Sequence, residues 1–219
     1  MDLILDTTRE NLVIILNDSK NKELYTSGGQ SSKHLVHLIP EIDKLLTQHN
    51  ISLEQINTFC LSLGPGSFTG VRIGVSTVKS FLAVLKKTKI VGFNVFDVMA
   101  KKVFKQKLKN DVLLLIKSTS TRFYATMLSN DNKKQFEGLL TVEEIINLIK
   151  QRKIDLFSLN STFLIGDTKT QEVILDEKDY VDFVDEQKKN KNYLEEDNIR
   201  PIYMALSQAE IELAKREEK

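Results

Sequence analysis

The sequence has one cysteine, no tryptophan, three prolines and nine glycines in 219 residues. A single thiol excludes internal disulfides and cysteine-based zinc clusters. Cys60 sits in the apolar run INTFCLSL, where it reads as a small buried hydrophobe and not as a nucleophile. An excess of charge is also lacking: 31 Lys and Arg face 30 Asp and Glu, so no global basic field gathers nucleic acid. No apolar run approaches the roughly 18 residues that a membrane helix needs. The opening MDLILDTTREN carries no positive leader, and its apolar run stops at Asp6, the pattern of a buried strand and not of a signal peptide. The expectation is a cytoplasmic protein. What is present is ordinary globular composition, 41% hydrophobic, enough for one large or two small domains.

The first hundred residues have a clear order. Residues 3–5 and 12–16 read as apolar strands joined by a tight turn at Thr8-Arg9-Glu10-Asn11, with a third strand at 23–26. Gly28 and Gly29 break the chain, and Ser31 or Ser32 caps a helix running to about Asn50. Its apolar residues Leu35, Leu38, Ile39, Ile42, Leu45 and Leu46 fit the helical period, and Pro40 predicts a kink or a restart. A strand at 58–63 enters the loop GPGSFTG (64–70), and a second helix continues to about Lys86. A strand at 89–93 and a helix at 97–105 follow.

A polar stretch at 105–111 marks a lobe boundary, after which the pattern partly repeats. Residues 112–116 and 123–128 read as a hairpin, 135–140 as a third strand, 142–151 as a helix opened by Thr141, and 162–165 as a short strand. Residues 172–186 hold seven acidic residues and one lysine, and read as a solvated or poorly ordered segment. From Ser207 a charged helix ends the chain. Two tandem β-β-β-α units predict an α/β fold of the duplicated actin-like type, with lobes at 1–106 and 107–219. The second lobe is reduced, and the last helix is placed to pack back on the first.

The second helix has two apolar sides. Val71, Val75, Val78, Leu82 and Leu85 form one stripe; Ile73, Phe81 and Val84 lie roughly opposite, beside Gly74, Thr77, Ser80 and Ala83. A lobe's surface helix needs one stripe only. The second side fits another helix, or a central helix covered by its own chain.

Candidate chemistry is sparse. Asp6-Thr7-Thr8 follows the first strand, where actin-like ATPases read D-x-G-T, handle metal through the Asp and hold phosphate on hairpin amides. Thr8 stands in place of that Gly, and a β-branched residue resists positive φ. The matching second-lobe hairpin offers Lys117-Ser118-Thr119, and a Lys is electrostatically wrong for Mg²⁺. The nearest counterpart of an adenosine-holding Gly-Gly turn is Ile165-Gly166-Asp167. Gly64 and Gly66 in the strand-to-helix loop could serve an anion or simply a tight turn, and no Lys-Ser or Lys-Thr makes it a Walker loop. His34 and His37 lie three apart, with His49 further along. No cysteine or carboxylate spacing completes a metal site with them, so no metal or cofactor is expected. His34 reads as interface or surface packing. Lys86, Lys87, Lys89, Lys101, Lys102, Lys105, Lys107 and Lys109 read as a solvated face, with contact to an RNA backbone as the alternative.

The string Gly64-Pro-Gly-Ser-Phe-Thr-Gly-Val-Arg-Ile-Gly74 resembles the signature of the bacterial TsaB (YeaZ) family. Leu3-Ile-Leu-Asp-Thr-Thr8 resembles its opening strand and turn. His34 with Pro40 and Leu45-Leu46 resembles its first helix, and Arg200-Pro-Ile-Tyr203 its closing turn. The resemblance implies a shortened actin-like fold, related to sugar kinases and Hsp70. It also implies a non-catalytic scaffold for threonylcarbamoylation of the adenine beside the anticodon in tRNA. The implied partners are a TsaD-type catalytic paralogue and a TsaE-type ATPase. A homodimer through the same helices is implied as well, tRNA is met only indirectly, and no membrane is involved. On this resemblance the partner-binding residues are His34, Leu38, Glu41, Leu45, Ile73, Thr77, Ser80, Phe81 and Val84. The catalytic paralogue's metal-binding H-x-x-x-H corresponds here to Val95 and Met99, which cannot hold a metal. Two departures concern the second lobe: Lys117-Ser118-Thr119 where the family reads Asp-Ala-Arg, and Met204-Ala205 where it often reads Leu-Arg. The competing expectation, from Asp6-Thr7, is an active small-molecule kinase or ATPase of the same fold.

Overall fold

A computed structural model describes residues 1–9, 11–18, 23–27, 34–85 and 88–204, with the side chains of 23–27, 34 and 35 outside that description. The expectations at Glu10, Gly28 and Gly29, Ser31 and Ser32, Lys86 and Lys87, Ala205 and the helix from Ser207 lie outside the described residues. The chain forms two compact units, Met1–Lys101 with Leu175–Ile202, and Lys102–Ile174.

The first unit is built on strands β1 (Asp2–Asp6), β2 (Val13–Asp18), β3 (Glu23–Ser27), β4 (Thr58–Ser62) and β5 (Lys89–Phe93), in the order β3-β2-β1-β4-β5. The first three pair antiparallel, and β1, β4 and β5 run parallel. Alternate residues of each strand face opposite sides, so one sheet builds two cores. Leu3, Leu5, Phe59 and Leu61 meet helices α1 (His34–Gln48) and α2 (Phe68–Val84) on one face. On the other, Ile4, Cys60, Val91 and Phe93 meet Val98 of α3 (Val95–Val103) and Tyr180, Phe183 and Val184 of α5 (Glu177–Lys189). Helix α1 runs through Pro40 without a break.

Helix α5 corrects two expectations. Residues 175–202 belong to the first unit and not to the second, and the acidic segment expected to be solvated is an ordered helix. Its start is set by Asp176, whose side chain accepts from the Asp179 amide while Asp179 reaches back to the Asp176 amide. Acidic residues fill its first turn and Lys188 and Lys189 its last, matching the helix dipole. Tyr180, Phe183 and Val184 share one face and are buried, each contributing about 1.5–3 kcal/mol.

The second unit repeats the plan with β6 (Asp111–Lys117), β7 (Arg122–Leu128), β8 (Lys134–Thr141), β9 (Ile154–Leu159) and β12 (Gln171–Val173), ordered β12-β9-β6-β7-β8. Helix α4 (Val142–Gln151) follows β8 and is opened by Thr141, whose hydroxyl accepts from the Glu144 amide at 3.2 Å. Ile145 of α4 packs with Leu113, Leu115, Phe123 and Leu156. Between β9 and β12 stands only the small hairpin β10 (Leu164–Ile165) and β11 (Thr168–Lys169), where the first unit has α2 between β4 and β5. The reduction expected of the second lobe lies there.

Candidate functional site

Asp6 closes β1 and is fully buried. Its carboxylate is saturated by the chain itself. Oδ1 accepts from the Thr8 amide at 2.9 Å and the Thr8 hydroxyl at 2.6 Å. Oδ2 accepts from Arg9 Nε at 3.2 Å, Arg9 Nη2 at 3.0 Å and the Tyr180 hydroxyl at 2.8 Å. Arg9 Nη2 also donates to the Tyr180 oxygen. Burial alone would push the Asp6 carboxyl up; the Arg9 guanidinium and the hydrogen bonds from Thr8 and Tyr180 outweigh it and hold the group below its ordinary range. Burial and the neighbouring Asp6 charge push the Tyr180 hydroxyl well above its own. An oxygen that a metal would use is thus committed to a guanidinium and a phenol.

The glycine loop packs onto the same turn. The Ser67 amide donates to the Thr8 carbonyl at 2.7 Å, and the Thr7 hydroxyl donates to the Gly70 carbonyl at 2.8 Å. A Cβ on Gly66 would overlap the Thr8 carbonyl oxygen, and one on Gly70 the Thr7 carbonyl oxygen. The glycines therefore admit close approach of the β1–β2 turn, and no space for an anion is needed to account for them. Gly64 has φ +117° and faces the Ile202 carbonyl, while the Ile202 amide donates to the Leu63 carbonyl at 2.7 Å. Ile202, in the Arg200-Pro-Ile stretch, thereby packs against the start of the loop. Of the four residues singled out as phosphate-loop-like, Asp6 and Thr7 stand in the turn, Gly66 packs on Thr8 of the same turn, and Gly64 meets Ile202 instead.

On α2 one stripe, Val71, Val75, Val78 and Leu82, fills the unit's own core. The stripe of Ile73, Thr77, Ser80, Phe81 and Val84 is only partly covered. Ile73 and Phe81 pack in part on the core, Phe81 stacking on Phe59 at 5.4 Å between centroids. Ser80 is exposed and donates to the Ser76 carbonyl, and Val84 is 75% exposed. On α1 the sequence expectation is corrected: Leu38 and Leu45 are 1% and 2% exposed and belong to the core, so they face no partner. Glu41 is half-buried and pairs with Lys44 at 3.7 Å, and the His34 side chain lies outside the described residues. Among the described side chains of α1, the large apolar ones left exposed are Val36, at 60%, and Ile39, at 49%. Their spacing of three was the available signal. Ile39 was instead grouped with the core stripe, one position from Leu38.

Elsewhere most of the candidate side chains that are described have partners in the chain or are buried. Lys117 ends β6 with its ammonium 5.4 Å from the centroid of the Phe163 ring. Gly166 turns the β10–β11 hairpin at φ +60°. Val95 and Met99 are fully buried apolar residues of α3. Cys60 is fully buried, which pushes its thiol well up. Among the described residues no group of His, Cys, Asp and Glu could hold a metal ion. Of the expected basic region, Lys101 bonds Glu186 and the Asp182 carbonyl, and Lys89 lies over Tyr193. Lys107 and Lys109 are exposed.

The profile of the TsaD family, described as tRNA N6-adenosine threonylcarbamoyltransferase, matches residues 15–158, well over half of the chain. The tRNA threonylcarbamoyladenosine biosynthesis protein TsaB of Buchnera aphidicola subsp. Acyrthosiphon pisum is 28% identical over 185 residues, 78% of this chain and 83% of that protein. A tRNA N6-adenosine threonylcarbamoyltransferase of Protochlamydia amoebophila is 36% identical over 62 residues, 28% of this chain and 18% of that protein. The solved YeaZ of Pseudomonas aeruginosa superposes with a TM-score of 0.68 at 17% identity, over 92% of this chain and 98% of that one, which shows a shared fold. A two-unit actin-like chain with the GPGSFTGVRIG loop, matched over this length, belongs to the TsaD family and, within it, to the TsaB (YeaZ) proteins.

Proposed function

We propose that the chain serves tRNA threonylcarbamoyladenosine biosynthesis as a non-catalytic subunit, docking through α1 and α2 onto a TsaD-type transferase. The names of its relatives support the pathway. The observation that carries the docking reading is Val84, 75% exposed on a helix whose opposite stripe already fills its own core. Ile73, Phe81, Val36 and Ile39 add apolar area on the same two helices. Burial contributes about 25 cal/mol per Å² before association costs are subtracted. The same face fits a second copy of the chain when the transferase is absent. A TsaE-type ATPase joins the pair, and tRNA is met through the transferase. The described residues contain no helix long and apolar enough to cross a membrane.

A small-molecule kinase or ATPase of this fold is not favoured. Five hydrogen bonds occupy the Asp6 carboxylate, and Lys117 stands at the matching hairpin. The test is coexpression with the transferase of the same organism, in wild-type form and with Val84→Glu. Phe81→Glu would also disturb the stack on Phe59, whereas Val84 is free of that defect. Wild-type copurification lost in Val84→Glu is the expected result; an unaffected variant complex overturns the docking reading. Calorimetry with Mg-ATP tests the alternative, which would be revived by binding tighter than about 10 μM, roughly −7 kcal/mol.

A further inference from the structure

The Asp6 network plays no part in the docking face as described, yet it reaches the helix that carries that face. Asp6 shares the parity of Ile4, so its side chain points to the α5 side of the sheet, where Tyr180 binds it. The next residue, Thr7, binds the other way, to the Gly70 carbonyl in the first turn of α2. Thr8 holds both ends: its amide and hydroxyl bind Asp6, and its carbonyl accepts the Ser67 amide, while Ser67 caps α2 through the Gly70 amide at 3.1 Å. Three consecutive residues thus connect α5, on one face of the sheet, to the start of α2, on the other.

We infer that Arg9 and Tyr180 are positioning residues for the docking helix, fixing the Asp6–Thr8 turn on which the first turn of α2 is seated. The inference rests on the docking reading and adds the part of the chain that sets it. Overlap at Gly66 and Gly70 leaves the turn and the helix no independent room, so displacing one displaces the other. The chain supplies the cation and the phenol that hold the turn from its own sequence. The docking face is therefore built before any ligand or partner arrives, which lowers the ordering cost of association.

Amide hydrogen exchange on the isolated chain, together with affinity for the transferase, tests this. Tyr180→Phe removes one hydroxyl from the network. Phe183→Leu, on the same helix and in the same core, serves as control because Phe183 has no part in the Asp6 hydrogen bonds. The expected result for Tyr180→Phe is about tenfold faster exchange confined to residues 67–74, with transferase affinity about tenfold weaker. Phe183→Leu should raise exchange across the whole first unit without that local excess. Asp6→Asn with Tyr180→Phe should lose no more affinity than Asp6→Asn alone, because both act through one turn. Arg9→Lys keeps the charge but not the paired contacts, and should reproduce the Tyr180→Phe pattern if that variant is too unstable to study. Exchange in 67–74 no different from Phe183→Leu, or strictly additive losses, overturns the inference. Because exchange is read without the transferase, a chain that shows the local effect but binds no transferase sinks the docking reading alone.

Discussion

The two units follow one strand order and differ most in what joins the last two parallel strands of each sheet. In the first, β4 leads through GPGSFTG into the seventeen-residue α2 before β5. In the second, β9 reaches β12 through a small hairpin. The turns after the first strands diverge as well. After β1 the turn is a buried, saturated carboxylate network, and after β6 it is an exposed Lys117 lying toward Phe163. The first unit commits Asp6 to Thr8, Arg9 and Tyr180, and the second has Lys117 in the matching place. In the first, α2 leaves Val84 exposed on the side away from its core stripe.

The contrast can be broken by substitution at matching positions. Asp6→Ala leaves the Arg9 guanidinium buried without its carboxylate and should cost about 3–5 kcal/mol in urea denaturation, against about 0.5 kcal/mol or less for Lys117→Ala. Gly70→Ala should cost about 3 kcal/mol or more, since the new methyl meets a backbone oxygen. Gly138→Ala in the second sheet should cost about 1 kcal/mol, because there the methyl meets only the end of the Phe136 ring at 2.8 Å. Equal losses at Gly70 and Gly138 would contradict the seating of α2 on Thr7.

A smaller effect is carried by pH. Tyr180 is held neutral in the fold with its pKa raised above the ordinary 10.0, so its contribution is complete below that pH and is lost as pH rises through the folded value. Asp6 is the reverse: lowered from 3.8, its contribution is present above that pH and is lost as pH falls through the folded value. Tyr180→Phe should flatten the alkaline limb of a stability profile and leave the acid limb set by Asp6. An unchanged alkaline limb would remove Tyr180 from the account. The smallest effect on stability belongs to Val84→Glu, within about 0.5 kcal/mol of wild type by thermal melting, as befits a side chain 75% exposed.

Most of the first unit was legible because its signals were local and consistent. Apolar runs of strand length, the loop glycines and the period of α2 all pointed one way. What was missed has physical reasons. In α5 eight charged residues hid a three-residue apolar stripe, although Asp176 and Asp179 form a capping box and Tyr180, Phe183 and Val184 fall on one face. Strand β9, IDLFSL, follows directly on α4 without a glycine or proline to mark a boundary. Leu38 and Leu45 were placed on the partner side by the resemblance, whereas helical period alone puts them in the apolar stripe that fills the core. Arg9 and Tyr180 are separated by 171 positions, and no spacing rule brings them together.

The central claim is that this chain acts through a face and not through a nucleotide site. Mass spectrometry of threonylcarbamoyladenosine formed in tRNA tests it, with the transferase alone, with wild-type chain added, and with Val84→Glu added. The account predicts product with wild type and little with the transferase alone or with Val84→Glu at equal concentration. Wild-type yield from Val84→Glu would contradict it.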